Sequence, residues 1–387
     1  MDIRLVWLAL GAFAGSVESS LIVAVLPAIS SETGVSLAQA GWLVTLYALF
    51  YGFGTPLIST VLGRVDRRTV VASGELVFGC MALCLGLLPE FIMLALARSL
   101  LALGAGTFTS TAQSTAVALS DAARRGRAVA IVVMGGSLGV AIGAPVAVWA
   151  SQTFGWRPAY LGLGVLALVA SLTMWRMLPG DIAGDPRTLR ERLSVIHVPG
   201  MKWALATSGV MYAASTMVLT YTAPLTTELM GIDAAWMPIV FLAFGVGAVA
   251  GTGIGGWLTD RYGGRQTILV MIGLLVVEFA ALPLIATLPE PLVLPVYLAD
   301  TVAFGICCWG MSPPQINRLA VLAPVSVQLS AALNLTSMNF GVAAAALGGG
   351  WVLQHLGVVA LCFGAALVAV AAVGVAWMVP DRRTRKA

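Results

Sequence analysis

Gly11-Ala-Phe-Ala-Gly-Ser-Val-Glu18-Ser-Ser-Leu-Ile-Val-Ala-Val-Leu26-Pro27 is the stretch that decides the fold of this chain. It continues into apolar neighbours and so supplies the ~20 residues that a membrane-spanning helix needs. One carboxylate, Glu18, lies near its middle, where an ionised group costs at least ~2.5–3.5 kcal/mol. Protonation removes most of that cost, so we interpret Glu18 as a proton carrier. The alternative is a polar contact between helices that Glu18 makes together with Ser16, Ser19 and Ser20.

The composition of the whole chain is that of a membrane protein. Of its 387 residues, 59% are hydrophobic and 10% are charged, whereas ordinary soluble chains are about 25% charged. This predicts an all-α polytopic membrane protein in a lipid bilayer, with no nucleic acid among its partners. The cysteines lie inside apolar runs and are interpreted as packing residues, so we expect no metal and no cofactor.

Apolar segments recur along the chain at the length of a membrane span. We predict twelve spans, at approximately residues 5–29, 39–62, 69–88, 90–119, 127–150, 158–178, 201–230, 236–258, 267–288, 291–322, 326–354 and 356–379.

The basic residues predict the orientation of these spans. With the N-terminus inside, the cytoplasmic side holds nearly all the arginines and lysines and the opposite side holds only Arg157. This is the positive-inside pattern, and it predicts a multi-pass protein of the cell inner (cytoplasmic) membrane with both termini cytoplasmic. The cytoplasmic basic residues are Arg4, Arg64, Arg67, Arg68, Arg124, Arg125, Arg127, Arg176, Arg187, Arg190, Arg192, Lys202, Arg261, Arg265, Arg318, Arg382, Arg383, Arg385 and Lys386.

The longest connection divides the spans into six and six. We predict an N-terminal half at 1–178, a cytoplasmic linker at 179–200 and a C-terminal half at 201–387. Asp66-Arg67 follows the second span and Asp260-Arg261 follows the eighth, an offset of 260 − 66 = 194 residues. Two parallel halves of this kind predict a pseudo-two-fold axis along the membrane normal, with the substrate site between them.

Three motifs resemble those of the major facilitator superfamily, and the resemblance extends over the whole chain. Gly63-Arg-Val-Asp66-Arg67-Arg is a shortened form of the family signature Gly-x-x-x-Asp-Arg-x-Gly-Arg-Arg, and Gly255-Gly-Trp-Leu-Thr-Asp260-Arg261-Tyr-Gly-Gly-Arg265 is a fuller copy. Gly139-Val-Ala-Ile-Gly143-Ala-Pro145, followed by Gly155-Trp-Arg157, is similar to the signature of the drug:proton antiporter branch, especially sugar- and drug-efflux permeases related to arabinose exporters. Those permeases also carry a Glu on the first span with Leu-Pro shortly after it, as Glu18 and Leu26-Pro27 do here.

The resemblance implies the major facilitator fold, a monomer, and roles for the motif residues. An Asp at a helix N-terminus is favoured by the helix dipole and can pair with an Arg of the next helix. The loop residues are therefore predicted to form a conformational latch; the alternative is solvated charges that only set topology. The latch residues are Gly63, Asp66, Arg67, Gly255, Asp260, Arg261 and Arg265.

Small residues on the fifth span predict a close helix–helix contact. Gly139 and Gly143 are one turn apart, and small residues let helix backbones approach closely in membranes. Pro145 removes a backbone donor and kinks the helix. We predict that this segment is a hinge or a seal between the halves.

Three of the charged residues inside the predicted spans lie at nearly the same depth in the membrane. Glu18 lies about 13 residues from the cytoplasmic end of its span, which is ~20 Å, while Arg98 and Asp300 lie ~12–14 Å from the outer end of theirs. In a core of ~30 Å these levels nearly coincide. Since the first, fourth and tenth helices line the central cavity in the resembled family, the resemblance implies that Glu18, Arg98 and Asp300 converge there as the proton-coupling residues.

Two further carboxylates lie on spans that are scaffold helices in that family. We expect Glu75 to pair with a loop arginine and Glu278 to be a neutral, hydrogen-bonded side chain.

Polar and aromatic residues on the cavity helices are the predicted substrate-binding residues. Together they describe a largely apolar pocket with a few polar groups, which is typical of small-molecule sites. They are Tyr47, Tyr51, Gln113, Tyr212, Tyr221, Trp309, Asn334 and Asn339.

These features favour a proton-coupled secondary transporter that exports small amphipathic molecules or drugs by alternating access, with protons as the exchanged ion. The alternatives are a dedicated exporter of a sugar, nucleoside or amino-acid metabolite, and a proton-driven importer. A membrane enzyme is not expected, because the two histidines, His197 and His355, lie in a loop and at a helix end. The chain has no Gly-x-x-x-x-Gly-Lys-Ser/Thr sequence, so ATP hydrolysis is not expected to drive transport.

Overall fold

The computed structural model describes residues 3–121, 125–180, 182, 188–323 and 327–379, and the regular structure of these residues is helical. The basic residues at 124, 187, 382, 383, 385 and 386 lie outside the described residues.

Long helices follow one another along the chain. They are α1 (Ile3–Thr33), α2 (Trp42–Val61), α3 (Arg67–Leu87), α4 (Phe91–Ala118), α5 (Arg127–Phe154), α6 (Trp156–Met177), α7 (Met201–Thr220), α8 (Met237–Tyr262), α9 (Gly264–Ile285), α10 (Glu290–Gly310), and Val327–Trp377, which bends at Gly357 into α11 (327–356) and α12 (358–377). Shorter helical pieces are Leu37–Ala40, Leu62–Arg64, Leu189–Ser194, Val195–His197, Thr222–Pro224, Leu225–Leu229, Ala234–Trp236 and Ser312–Leu322.

Ten helical segments of the described residues are long and apolar enough to cross a membrane. One of them, Leu329–Trp377, has 49 residues, about twice the length of one crossing. It bends at Gly357, where φ is 82° and ψ is 178°, so it supplies two spans. The seventh predicted span, 201–230, is longer than the helix found there: α7 ends at Thr220, and the short pieces Thr222–Pro224 and Leu225–Leu229 follow. With 20 residues that include Lys202 and several hydroxyl side chains, α7 is less apolar than the ten segments. Each predicted span therefore overlaps a helix, and the all-α polytopic fold class is confirmed.

The chain forms two compact units. Unit 1 comprises Met1–Leu189 and Ala235–Leu242, and unit 2 comprises Arg190–Ala234 and Ala243–Ala387. The boundaries at 178 and 200 that the sequence suggests stay a prediction.

In unit 1, the glycine face of α5 packs directly on α1. A methyl group built at Gly139 would lie 2.6 Å from Phe13 O, and one at Gly143 would lie 2.7 Å from Phe13 Cζ. Only glycine permits this backbone approach. The predicted close contact is therefore present, and its partner is α1 of the same unit; the hinge role stays a prediction.

The same segment of α5 departs from α-helical hydrogen bonding. Gly139–Gly143 forms one turn of π-helix, and Pro145 follows in the next helical piece. π-Turns occur frequently at functional sites, and Pro145 removes a further backbone donor. The irregular turn lies against Phe13 and Val17, immediately before Glu18 on α1.

We predict that Gly139→Ala destabilises the protein, because its methyl group would collide with the α1 backbone. Overpacking of this kind costs about 1–3 kcal/mol. Gly162→Ala on α6 is the matched control, since a methyl group there meets nothing within 4 Å and alanine favours the helix by about 1 kcal/mol. The midpoint of thermal unfolding in detergent should fall for the first variant only. Equal midpoints for the two variants would contradict the packing described here.

Candidate functional site

The candidate site is a buried ion pair between α1 and α4. Glu18 and Arg98 are 0% and 1% exposed. The Nη1 group of Arg98 donates to Glu18 Oε1, and its Nε group donates to the Leu43 carbonyl of α2 over 2.9 Å. Such pairs persist in a low dielectric because the opposite charges and added hydrogen bonds offset the loss of hydration.

Aromatic side chains enclose the ion pair. The Tyr160 hydroxyl of α6 lies 3.3 Å from Glu18 Oε1. The Tyr47 ring of α2 covers the guanidinium of Arg98, with 4.8 Å from Arg98 Cζ to the ring centroid. A cation over an aromatic face is attracted by the ring quadrupole, more strongly when it is desolvated. Tyr51 continues this aromatic surface, 5.8 Å from Tyr47 between ring centroids.

The two carboxyl oxygens of Glu18 differ in their hydrogen-bond partners. Glu18 Oε2 is buried and has no hydrogen-bond partner among the described residues. Oε1 is therefore held by Arg98, while Oε2 is left as an acceptor that a proton or a ligand donor can occupy.

Two of the serines near Glu18 have backbone partners. Ser19 Oγ donates to the Ser16 carbonyl over 2.9 Å, and Ser20 Oγ donates to the same carbonyl over 3.4 Å. These hydroxyls bond to the backbone of their own helix, as serines in helices commonly do. Glu18 does make a polar contact between helices, with Arg98 and Tyr160; a contribution of the three serines to that contact stays a prediction.

A second cluster ties α1 to α6 at their adjoining ends. Glu32 accepts hydrogen bonds from Trp156 Nε1 over 2.7 Å and from Arg157 Nε over 2.9 Å. Arg157 also donates to the Leu88 carbonyl over 2.8 Å, which reaches the end of α3. The Gly-Trp-Arg motif thus joins three helix ends, and sequence reasoning missed Glu32, its acceptor.

The ring of Trp156 connects this cluster with the ion pair. Trp156 and Tyr160 are one helical turn apart on α6, with their rings edge to face and 6.2 Å between centroids. Tyr160 in turn reaches Glu18. The spacing Trp156-x-x-x-Tyr160 after the motif is the one sequence signal that could have identified Tyr160 as a site residue.

The first Asp-Arg loop binds backbone groups. Asp66 caps α3 by accepting from Thr69 N over 3.4 Å, and its other oxygen accepts from Ile182 N over 2.8 Å. Arg67 Nη1 donates to the Ser114 carbonyl at the end of α4 over 2.8 Å. Asp66 thus binds the segment that follows α6 to the start of α3, and its pairing with an arginine stays a prediction. Gly63 is buried in the preceding turn.

The second Asp-Arg loop is built differently. Asp260 is exposed and lies in the last turn of α8, at a helix C-terminus, so the argument for an Asp at the N-terminus of its helix does not apply to it. Arg265 stacks on Trp377, 4.8 Å from the ring centroid, and donates to its carbonyl over 3.2 Å. Arg261 covers the rings of Trp257 and Tyr262. The latch role of both loops stays a prediction.

Gly255 belongs to a helix contact rather than to the loop. A methyl group there would lie 2.6 Å from the Gly310 carbonyl carbon. Gly251 and Gly247 meet α10 in the same way one and two turns earlier. This glycine repeat on α8 is visible in the sequence, although it was not singled out there.

Two carboxyl groups of unit 2 interact. Asp300 on α10 is half-buried and acts electrostatically on Glu278 of α9. Glu278 is 8% exposed, and both of its carboxyl oxygens are buried without a hydrogen-bond partner among the described residues. The expected hydrogen-bonded Glu278 is therefore wrong. Asp300 belongs to a different unit from Glu18 and Arg98, and its convergence with them stays a prediction.

Several predicted substrate-binding residues already have partners inside unit 2. The Tyr221 hydroxyl donates to the Ala346 carbonyl over 2.7 Å. Asn334 accepts from Ser208 over 2.6 Å within a buried network that includes Gln315. Asn339 Nδ2 donates to the Leu335 carbonyl of its own helix over 2.9 Å. The hydrogen bonds of Tyr221 and Asn334 join different helices. These two residues are therefore weak candidates for substrate contact.

The remaining predicted substrate-binding residues have accessible surface. Gln113 is exposed on α4. Tyr212 on α7 and Trp309 on α10 are half-buried.

A chain of membrane-length helices with a charge-neutral acidic–basic pair buried among them is a polytopic membrane protein. The family model described as Major Facilitator Superfamily matches residues 8–328. The chain belongs to that superfamily, and it is a multi-pass transporter rather than an enzyme.

Relatives of known sequence agree with the family. The chain is 28% identical to the inner membrane transport protein YdhP of Escherichia coli (strain K12), over 90% of this chain and 88% of the relative. It is 26% identical to a chloramphenicol resistance protein of Streptomyces lividans, over 92% of this chain and 90% of the relative. It is 25% identical to the uncharacterized MFS-type transporter YbcL of Bacillus subtilis (strain 168), over 93% and 91%.

Solved structures agree with the fold. The chain matches a bacterial homologue of the human lysosomal transporter Spinster, in an inward-facing and occupied conformation, with a TM-score of 0.75 and 18% identity. The match covers 97% of this chain and 96% of the other.

We predict that Arg98→Gln destabilises the protein more than the double variant Glu18→Gln/Arg98→Gln. The single change leaves an uncompensated buried carboxylate, and breaking one side of a buried pair costs about 3–5 kcal/mol. Removing both charges eliminates that penalty. Denaturant unfolding in detergent of the wild type, both single variants and the double variant gives the coupling energy. Additive losses would show that the two charges do not interact.

Proposed function

We propose that this transporter exports small amphipathic molecules, including drugs, by alternating access coupled to proton antiport. The observation that carries the proposal is the divided environment of the Glu18 carboxyl. Oε1 is bound by Arg98, while Oε2 is buried and has no partner among the described residues. An intramembrane ionisable group is a functional group by default, and this one has a place for a proton.

The coupling step follows from competition between Arg98 and a proton for the Glu18 carboxylate. When Glu18 is ionised, Arg98 binds it and joins α1 to α4. A proton on Oε2 removes the negative charge, so Arg98 loses its counter-ion and keeps only the Leu43 carbonyl and the Tyr47 ring. The α1–α4 contact is thereby weakened. We propose that the proton arrives from outside and leaves to the cytoplasm as substrate is exchanged.

Tyr47 and Tyr51 indicate the class of substrate. Their rings form a surface next to the ion pair, and aromatic surfaces with few polar groups bind amphipathic molecules. The relative from Streptomyces lividans is named for chloramphenicol resistance, and that compound is our first candidate substrate. We propose Gln113, Tyr212 and Trp309 as further contacts.

Other parts of the proposal concern the whole molecule. We propose that both termini are cytoplasmic, that the protein is a monomer in the inner membrane, and that Asp300 joins Glu18 and Arg98 in coupling. The Asp66 and Asp260 loops act as latches that open and close with transport.

We predict that chloramphenicol drives proton movement in proteoliposomes containing the wild type, and that Glu18→Gln abolishes it without abolishing binding. Glutamine keeps the shape of Glu18 but cannot carry a proton. Proton flux is measured with an entrapped pH indicator, and binding by tryptophan fluorescence. The panel also includes tetraphenylphosphonium, a lipophilic cation, and arabinose, a neutral sugar. Glu278→Gln, which changes a buried carboxyl of the other unit, is the control.

The outcomes separate the alternatives. Flux with arabinose alone would favour a dedicated sugar exporter. Flux in which protons and substrate move in the same direction would favour an importer. Undiminished flux in Glu18→Gln would overturn the role of Glu18 and move the proposal to Asp300.

A further inference from the structure

Glu75 is a buried carboxyl group of unit 1 that the proposed coupling step does not use. It lies on α3 and is 1% exposed, and its Oε1 has no hydrogen-bond partner among the described residues. Among the described residues no arginine is its partner; a methyl group built at Gly11 would meet both its Oε2 and the Phe108 ring. A buried carboxyl without a counter-ion is costly to keep ionised, so a packing role alone gives no reason for it.

The position of Glu75 relates it directly to Glu18. A methyl group built at Gly11 of α1 would lie 3.1 Å from Glu75 Oε2. Gly11 precedes Glu18 by 18 − 11 = 7 residues, which is about two helical turns, so the two positions share one face of α1 and are ~10 Å apart along its axis. Glu75 therefore lies beside the same face of α1 as Glu18, nearer its N-terminal end.

Glu75 and Gly11 also lie at the same distance from the first residues of their helices. Glu75 is 75 − 67 = 8 residues from the first residue of α3, and Gly11 is 11 − 3 = 8 residues from the first residue of α1. Both distances are ~12 Å. The arginine distribution predicts that these helix ends are cytoplasmic, so Glu75 lies on the cytoplasmic side of Glu18.

Apart from Glu18, and Glu32 at the far end of α1, the other charges on α1, α3 and α4 are arginines. On α1, Arg4 precedes Gly11 by 11 − 4 = 7 residues, and on α3, Arg68 precedes Glu75 by 75 − 68 = 7 residues, so each lies ~10 Å away toward the predicted cytoplasmic end. On α4, Arg98 lies ten residues from Phe108, which is ~15 Å, and it is bound to Glu18. On α3, Arg67 and Arg68 lie at the beginning of the helix, where Arg67 binds the Ser114 carbonyl and Arg68 covers the Trp175 ring. Glu18 is thus the carboxyl group with which Glu75 can exchange a proton along α1.

We propose that Glu75 is a proton-transfer group between Glu18 and the cytoplasm. The Glu75 proton leaves to water at the N-terminal end of α1, and the Glu18 proton then moves through intervening water to the Glu75 carboxylate. Glu18 becomes a carboxylate and re-forms its pair with Arg98, and Glu75 is again a neutral acid. The inference rests on the proposed function, because it requires that Glu18 itself gains and loses a proton.

The test is a stopped-flow pH jump on the purified protein, followed by the infrared carbonyl stretch of protonated carboxyl groups. The Glu18 band is assigned by its loss in Glu18→Gln. In Glu75→Gln the Glu18 band should keep its amplitude, but its rate of proton release should fall by about a hundredfold, the lower end of what a positioned proton-transfer group contributes. Glu75→Asp, which retains a carboxyl group, should recover most of the rate, and Glu278→Gln should leave it unchanged.

The result that overturns the inference is an unchanged rate in Glu75→Gln with a normal Glu18 band; the proposed function would then stand. A Glu18 band that does not respond to pH in the wild type would overturn the proposed function as well. If Glu75→Gln does not fold, Glu75→Met, a side chain of similar length without an exchangeable proton, is measured in its place, and an unchanged rate in that variant overturns the inference.

Discussion

The ion pair between Glu18 and Arg98 is the interaction on which unit 1 depends. Either charge alone would be expensive in a low-dielectric interior, and together they are tolerated because they neutralise each other and share hydrogen bonds. The pair fixes α1 against α4, the Leu43 carbonyl adds α2, and the Tyr160 hydroxyl adds α6. One electrostatic requirement therefore sets the register of several helices. A change in the protonation of Glu18 changes that requirement, which is why a structural contact can also serve as the coupling device.

Helix α1 is the common element of the features found in unit 1. Glu32 holds one end through Trp156 and Arg157. In the middle, Gly139 of α5 approaches the α1 backbone, with a turn of π-helix beside it. Nearer the N-terminus, Gly11 leaves room for Glu75. The Glu32 contact, the irregular turn of α5 and the carboxyl groups of Glu18 and Glu75 thus all lie along α1 or against it. This is expected of a helix that transmits a local change in charge.

Unit 2 stabilises its buried polar groups by different interactions from those of unit 1. Asn334, Ser208 and Gln315 form a neutral hydrogen-bonded network between helices, where unit 1 has an ion pair. Among the described residues its carboxyl groups, Glu278 and Asp300, are not paired with an arginine. The halves resemble each other in sequence pattern, but the chemistry they bury differs. In the proposed cycle Glu18 of unit 1 is the main proton carrier, and Asp300 of unit 2 joins it in coupling.

The sequence by itself determined the membrane class, the positions of the helices and the family, since these depend on local apolar length, the charge content and short motifs. It also marked Glu18 and Arg98, because intramembrane charges are rare enough to stand out. It could not give the partners of those charges. Tyr160, a partner of Glu18, and Glu32, the acceptor for Arg157, lie more than a hundred residues from those partners in the chain, and the Leu43 carbonyl that binds Arg98 is an ordinary backbone group. The sequence also did not show that Asp66 binds backbone N–H groups. Hydrogen-bond partners are decided by which helix faces meet, and in a bilayer that depends on the packing of small residues and the neutralisation of charge across the whole bundle, so only the tertiary structure could decide them.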